Sequence, residues 1–417
     1  MSPPPLAGIK VVEITSIYSG PLAGLILAEL GAEVIKVESA DKPDLIRNRT
    51  QGPHGVSTTF YALNRGKRFV SIDASTPRGR AMFGQLVDGA DVFLHNIRPG
   101  KPEAIGLGYE ELAARNPRLI YAAISGLGHA SPDVAQPVYD YVVQARVGMV
   151  DYQRDAISGR ASLVSQVVVD KTTAQAAVQA VLAALYVRER TGRGQRIDLP
   201  MLGVGLHYGW SDVMGPNYTL VDPPVPPDSM PRHVLQMPSA ALIVVVAGDG
   251  GEIVCSPALP PFDGLCIAFD HPEWIVDEQF AEANDRLVNF PAFLEAIVEA
   301  ATHFTRAELL ARLGENGVAS GPVQGRSAVH EDAQVRHLGL LSEQDSGFVG
   351  VVRQPHPMWH FSDSKAEITT SMGRTGEHTR AVLAEMGIAD DEITALVSDG
   401  VVFEPGTTGT ASPTGTT

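Results

Sequence analysis

Apolar and polar positions alternate along the first third of the chain in short, distinct blocks. GIKVVEIT (8–15), EVIKVES (33–39), KRFVSID (67–73), DVFLHNI (91–97) and RLIYAAIS (118–125) are brief runs rich in β-branched residues and read as buried strands. Between them, PLAGLILAEL (21–30), RGRAMFGQLVDGA (78–90) and YEELAARN (109–116) carry helical spacing. Pro21 opens the first of these helices and Gly31 follows its end. Strands separated by helices of this length predict βαβ units, and so an α/β fold with a parallel sheet covered on both faces. In such a Rossmann-like sheet, ligands lie beyond the carboxyl ends of the strands.

Further along, Ala174, Ala177, Val178, Val181, Leu182 and Leu185 mark one face of a helix over about 171–190, followed by a strand at QRIDLPM (195–201). The proline cluster DPPVPPDSMP (222–231) reads as a boundary. ALIVVVAGDGGEIVCS (241–256) reads as a hairpin turning at GDGG, with helices expected near 282–301 and 305–313. Two more helices are expected in 375–399, and EPGTTGTASPTGTT (404–417) reads as a disordered tail. The expected organisation is a large domain over 1–220, a smaller α+β domain over 221–330, a return to the large domain over 331–403, and the tail.

Composition narrows the class. Hydrophobic residues make up 44% of the 417 and charged residues 19%, enough for a sizeable core. The formal charge of −16 argues against nucleic acid or an anionic membrane as partner. That charge is uneven. The first 120 residues hold 14 Lys+Arg against 12 Asp+Glu, and the remainder hold 18 against 36, so an anionic ligand meets least repulsion in the first third. Two cysteines cannot frame a disulfide scaffold, no secretory signal is evident, and no apolar run reaches the ~20 residues of a membrane span. The expectation is a soluble cytoplasmic protein.

Few motifs carry chemistry. The first strand leads into SIYSGPLAG rather than G-x-G-x-x-G, which disfavours NAD, and no Walker motif occurs. His356 and His360 have helical spacing, but Pro355 and Pro357 flank His356, so no metal site is expected. NIRPGK (96–101) places Asn96, Arg98 and Lys101 at a strand end, suited either to an anion or to a solvated turn. NRGKR (64–68) poses the same choice. Asp170 lies where an apolar run meets the alanine-rich helix. It is placed at the N-cap, where it would accept free amides. The same place, with the helix dipole and Lys171 adjoining, suits a carboxylate nucleophile. Residue physics alone leaves both readings open.

The run DKTTAQAAVQAVLAALYVRERTGRGQRIDLPM (170–201) resembles the catalytic helix and following strand of the family III CoA-transferases. EITSIYSGPLAGLILAELGAEVIKVE, LNRGKRFVSID, ADVFLHNIRPG, NPRLIYAAISGLG and YDYVVQA match that family in order, as do GVASGPVQ and GEHTRAVLAEMG. The resemblance implies an interlocked-ring homodimer of subunits with a Rossmann-like large domain and a smaller domain. It implies CoA transfer from an acyl-CoA thioester to a carboxylic acid, with CoA as co-substrate and no permanent cofactor. Asp170 aligns with the acylated aspartate. CoA contacts fall on Ile17, Tyr18, Ile72, Asn96, Ile97 and Arg98, with Tyr139 beside them. The α-methylacyl-CoA racemases share the fold, but their acid/base histidine is replaced here by Tyr139 before Asp140, which favours transfer over racemisation. A non-catalytic CoA-binding protein, with Asp170 only a cap, is the third reading. Relatives carry Arg where Ser39 stands and a base where Ala104 stands, leaving Arg47, Arg65, Lys67 and Lys101 as candidates for the CoA phosphates.

Overall fold

The computed structural model describes residues 2–47, 49, 57–134, 136–154, 158–214, 219, 242–256, 261–368 and 370–406. The proline cluster 222–231 and the tail from 407 lie outside the described residues. The chain divides into two compact units, one of 1–150, 163–208 and 339–417, the other of 151–162 and 209–338.

The first unit is built on a seven-stranded sheet. Its strands are β1 (Lys10–Ile14), β2 (Glu33–Glu38), β3 (Lys67–Ile72), β4 (Val92–His95), β5 (Ile120–Ser125) and β6 (Arg196–Pro200). In space they run β3-β2-β1-β4-β5-β6, all parallel. This is a doubly wound order, and the direction of winding reverses between β1 and β4. The intervening helices are α1 (Ser19–Glu29), α2 (Thr58–Asn64), α3 (Pro77–Asp88), α4 (Lys101–Ala104), α5 (Tyr109–Arg115), α6 (Asp140–Arg146), α7 (Met149–Tyr152), α8 (Val168–Thr191) and α9 (Met201–Gly209). The periodicity located β1 to β6, α1, α3 and α5 to within a few residues. It did not reveal a final short strand, Val402–Phe403, which pairs antiparallel with β3 at the sheet edge.

Helix α1 is apolar on every side and buried along nearly its whole length. Glycine makes this possible. A Cβ on Gly24 would fall 1.8 Å from Glu13 Oε2, and one on Gly20 would fall 2.6 Å from Thr15 Cβ. The helix therefore rests directly on the end of β1, over a buried ion cluster. Lys67 Nζ donates to Glu13 Oε1 at 2.9 Å, to the Pro21 carbonyl at 2.7 Å and to Asn64 Oδ1 at 2.9 Å. All three of its protons are satisfied, as an interior ammonium requires.

The second unit has its own core around Phe269, Phe293, Leu309 and Leu313. Ile243–Val246 and Glu252–Cys255 form the expected hairpin around GDGG, and Ser320–Pro322 adds a third strand. The helix expected over 282–301 is two, Ala283–Val288 and Phe290–Ala301, with Asn289 between them. Both cysteines are buried and free. Among the described residues no helix is long and apolar enough to cross a membrane, and no cluster of His, Cys, Asp or Glu is arranged to hold a metal.

Candidate active site

A cavity of about 260 Å³ opens beyond the carboxyl ends of β1, β4, β5 and β6, at the point where the winding reverses. Ser16 to Ser19 form one wall, Asn96 to Pro99 a second, and Ile124 to Gly128 a third. Val138, Tyr139, Met201 and Asp170 close it. Of the residues singled out from sequence, Asp170, Ile17, Tyr18, Asn96, Ile97, Arg98 and Tyr139 all meet here. Ile72 does not. It ends β3, two strands from the reversal, and lies 2% exposed in the apolar core.

The position of Asp170 differs from the sequence expectation in one decisive respect. Helix α8 begins at Val168, not at 171, and its N-cap residue is Val167, which offers no capping side chain. Asp170 is therefore the third helical residue rather than the cap. The cap comes from 30 residues away. Asp140 Oδ2 accepts the amides of Val169 at 2.7 Å and Asp170 at 3.0 Å, while Gln144 Nε2 donates to its other oxygen. Nothing in the local pattern around Asp140 announces this, because capping by a side chain remote in sequence leaves no local signature. Lys171 points to solvent and does not line the cavity.

Relieved of capping, the Asp170 carboxylate turns to the cavity and to α1. It is 7% exposed. Ser19, the first residue of α1, lines the same cavity, and its hydroxyl and backbone amide favour the charged form of the carboxyl. Burial raises its pKa from 3.8 to about 6, the negative charge of Asp140 adds to the rise, and the polar groups of Ser19 oppose it. The side chain is thus an anion at neutral pH, but one held in a poor environment for charge. A desolvated carboxylate of this kind is chemically able to act as a nucleophile.

The second wall is set from beneath. His95, the last residue of β4, is fully buried. Burial pushes its pKa down to about 3, with the positive potentials of His129 and Arg196 contributing, so the ring is neutral. The Tyr121 hydroxyl donates to the Leu107 carbonyl at 3.2 Å, which makes the 2.9 Å contact with His95 Nε2 a bond donated by the imidazole. A rigid strand end therefore presents Asn96, whose side-chain amide pairs with both backbone groups of Ser16, at 3.0 and 2.8 Å.

The cations proposed for phosphate sort cleanly. Arg47 pairs with Glu38, Arg65 with Glu29 at 2.7 Å, and Lys67 with Glu13, all inside the protein. Arg68 of the NRGKR run bridges Glu33 and Glu385. That run is neither a phosphate cradle nor a solvated edge, because its charges bind the protein to itself. Arg98 and Lys101 remain exposed at the cavity's second wall and its following turn, with no ion pair among the described residues.

A doubly wound sheet with a desolvated carboxylate at its reversal point, and no G-x-G-x-x-G turn, suits group transfer better than dinucleotide binding. The comparisons specify the class. A family model described as CoA-transferase family III matches residues 6–379. The chain is 31% identical to the succinate–glutarate CoA-transferase of Agrobacterium fabrum over 401 residues, 92% of this chain and 96% of the relative. It is 30% identical to a probable fatty acyl-CoA transferase of Mycobacterium tuberculosis over 394 residues, covering 91% and 98%. Among solved structures, a CAIB/BAIF family protein from Brucella suis superposes with TM-score 0.77 at 30% identity, over 92% of this chain and all of that one. An orthorhombic form of the mycobacterial protein gives 0.76 at 29%, over 91% and 99%. This chain belongs to CoA-transferase family III.

Proposed function

We propose that the protein moves CoA from an acyl-CoA to a carboxylic acid through covalent intermediates on Asp170. The carboxylate attacks the thioester carbonyl, forming a mixed anhydride and expelling CoA thiolate. The thiolate then attacks the aspartyl carbonyl, giving an aspartyl-CoA thioester and releasing the first acid. The acceptor carboxylate attacks that thioester, regenerating a mixed anhydride and thiolate. Attack of the thiolate on the new acyl carbonyl releases the product and restores Asp170. No bond energy is lost to water provided the site stays dry.

The observation that carries this reading is the division of labour between two aspartates. Asp140 satisfies the helix amides, so Asp170 stays free, desolvated and open to the cavity. The alternative of a mere helix cap is thereby disfavoured. Racemisation is disfavoured as well, since Tyr139 stands where the racemases carry their histidine and Asp140 is engaged by backbone amides. In this reading Ile17, Tyr18, Asn96, Ile97, Arg98 and Tyr139 contact CoA, and Arg98 and Lys101 meet its phosphates. Ile72 supports β3 without touching the ligand. The first unit acts as the CoA-binding domain, the working form is an interlocked homodimer, and the setting is the cytoplasm.

Intact-protein mass spectrometry after incubation with a panel of acyl-CoA esters tests the mechanism. The expected result is an acyl or CoA adduct on the native chain and none on Asp170→Ala, which still binds CoA but loses exchange. Retained exchange in Asp170→Ala refutes it.

A further inference from the structure

Between β1 and α1 the chain passes through Thr15, Ser16, Ile17 and Tyr18, which bring Ser19 to Asp170. Ile17 has φ 74°. Among described non-glycine residues only Asp270 shares a positive φ. For a β-branched side chain this region is disfavoured, because Cβ crowds the backbone carbonyl. Such a conformation persists only where the surroundings impose it.

Three side chains impose it here. Lys36 Nζ donates to the Thr15 carbonyl at 2.8 Å. Asn96 holds both backbone groups of Ser16. Asp44 Oδ1 accepts the Ile17 amide at 3.0 Å. Asp44 is itself buried and fixed. Its Oδ2 lies 3.1 Å from Lys36 Nζ, its own amide donates to Glu38 Oε1 at 3.0 Å, and Oδ1 also accepts the Ile46 amide at 3.2 Å. Asp44, Lys36 and Glu38 do not line the cavity. They brace its first wall from behind.

We infer that Asp44 is a positioning residue for CoA transfer: through the Ile17 amide it holds a left-handed turn that sets Ser19 against the Asp170 carboxylate. The inference rests on the reading of Asp170 as nucleophile. The competing account is that Asp44 only balances the charge of Lys36. The two differ in what glycine at position 17 does. Glycine adopts positive φ without steric cost, so it makes the brace redundant for geometry but not for charge balance.

The experiment is a double-mutant cycle on the full chain, with Asp44→Ala made in the native and Ile17→Gly backgrounds. CoA exchange between an acyl-CoA and an acid is followed as kcat/KM against pH. Asp44→Ala in the native background is expected to lose about 10²-fold in kcat/KM, the scale of a misplaced reacting group. Its acid limb moves to higher pH as Ser19 slackens. In the Ile17→Gly background the same substitution is expected to cost less than about tenfold. An equal loss in both backgrounds overturns the proposal. If circular dichroism shows Asp44→Ala unfolded, Asp44→Leu/Lys36→Met replaces it in both backgrounds, removing the brace without stranding a buried charge, and is judged in the same way. Asp170→Ala runs alongside. Exchange surviving there defeats the nucleophile assignment separately from any result of the cycle.

Discussion

Replacing Asp170 with asparagine is expected to do two opposite things: abolish transfer and stabilise the fold. The native carboxyl is 7% exposed and titrates near 6 instead of 3.8. Between those two pH values the folded chain keeps the proton and the unfolded chain has released it. Folded stability therefore falls as pH rises through this window, and the loss is complete above about pH 6. At about 1.4 kcal/mol per pH unit, the span amounts to about 3 kcal/mol carried as a penalty at neutral pH. Asparagine has no proton to lose, keeps an acceptor for Ser19, and feels no repulsion from Asp140. Below pH 4 the two proteins should unfold at similar denaturant concentrations. By pH 7.5 the variant should be more stable by about 2–3 kcal/mol while CoA exchange is lost. Urea or thermal unfolding of both proteins at half-unit steps from pH 4 to 8 provides the comparison. A stability difference that does not change with pH, or a variant weaker than native at pH 7.5, would refute the account of a charge held under duress.

Two further outcomes follow from the same geometry. Asp140→Asn keeps an oxygen for the Val169 and Asp170 amides but removes the like charge, so the acid limb of kcat/KM should move below pH 6; Asp140→Ala also loses the cap and should cost about 1–2 kcal/mol in unfolding measurements. Arg98→Ala and Lys101→Ala should raise KM for acyl-CoA with kcat within a few-fold, and more so at low salt, whereas Lys67→Met should destabilise the fold by about 3–5 kcal/mol by leaving Glu13 without its closest cation; a KM effect confined to Lys67→Met would reverse this assignment.

How far the sequence could be read depends on the range of each interaction. The parallel strands and α1 were legible because their apolar periodicity is local and strong. Asn96 and Arg98 were legible from the strand end they occupy, Ile17, Tyr18 and Ile97 only from the family resemblance, and the doubly wound sheet brings all five to one cavity. The start of α8 was misplaced because Val168 and Val169 read as the end of an extended run, yet a cap from Asp140 carries the helix three residues further back. The basic run at 64–68 was misjudged for a related reason. Charges paired across β1, β2 and α1 look, in one dimension, like charges facing water. The strain at Ile17 was invisible, since β-branched residues after a strand normally extend it. Ile72 followed the family pattern, but its strand lies on the far side of β2 from the reversal point.

The displaced start of α8 bears on the chemistry. A carboxylate in the first turn of a helix is ordinarily drawn to the free amides beneath it, and a side chain so occupied is stabilised, lowered in pKa and dulled as a nucleophile. Here a second carboxylate occupies those amides first. The substitution has two effects on Asp170, both in the direction of reactivity. It frees the oxygens to face the cavity, and it sets a negative neighbour nearby that raises the energy of the anion. Ser19 offsets only part of that rise, and its hold depends on a strained backbone braced from the buried side. In the proposed mechanism, a site tuned this way gains attacking power from instability that the rest of the fold must contain. A fully buried ion network accordingly lies not at the cavity but behind its first wall, in Glu13, Lys36, Asp44 and Lys67.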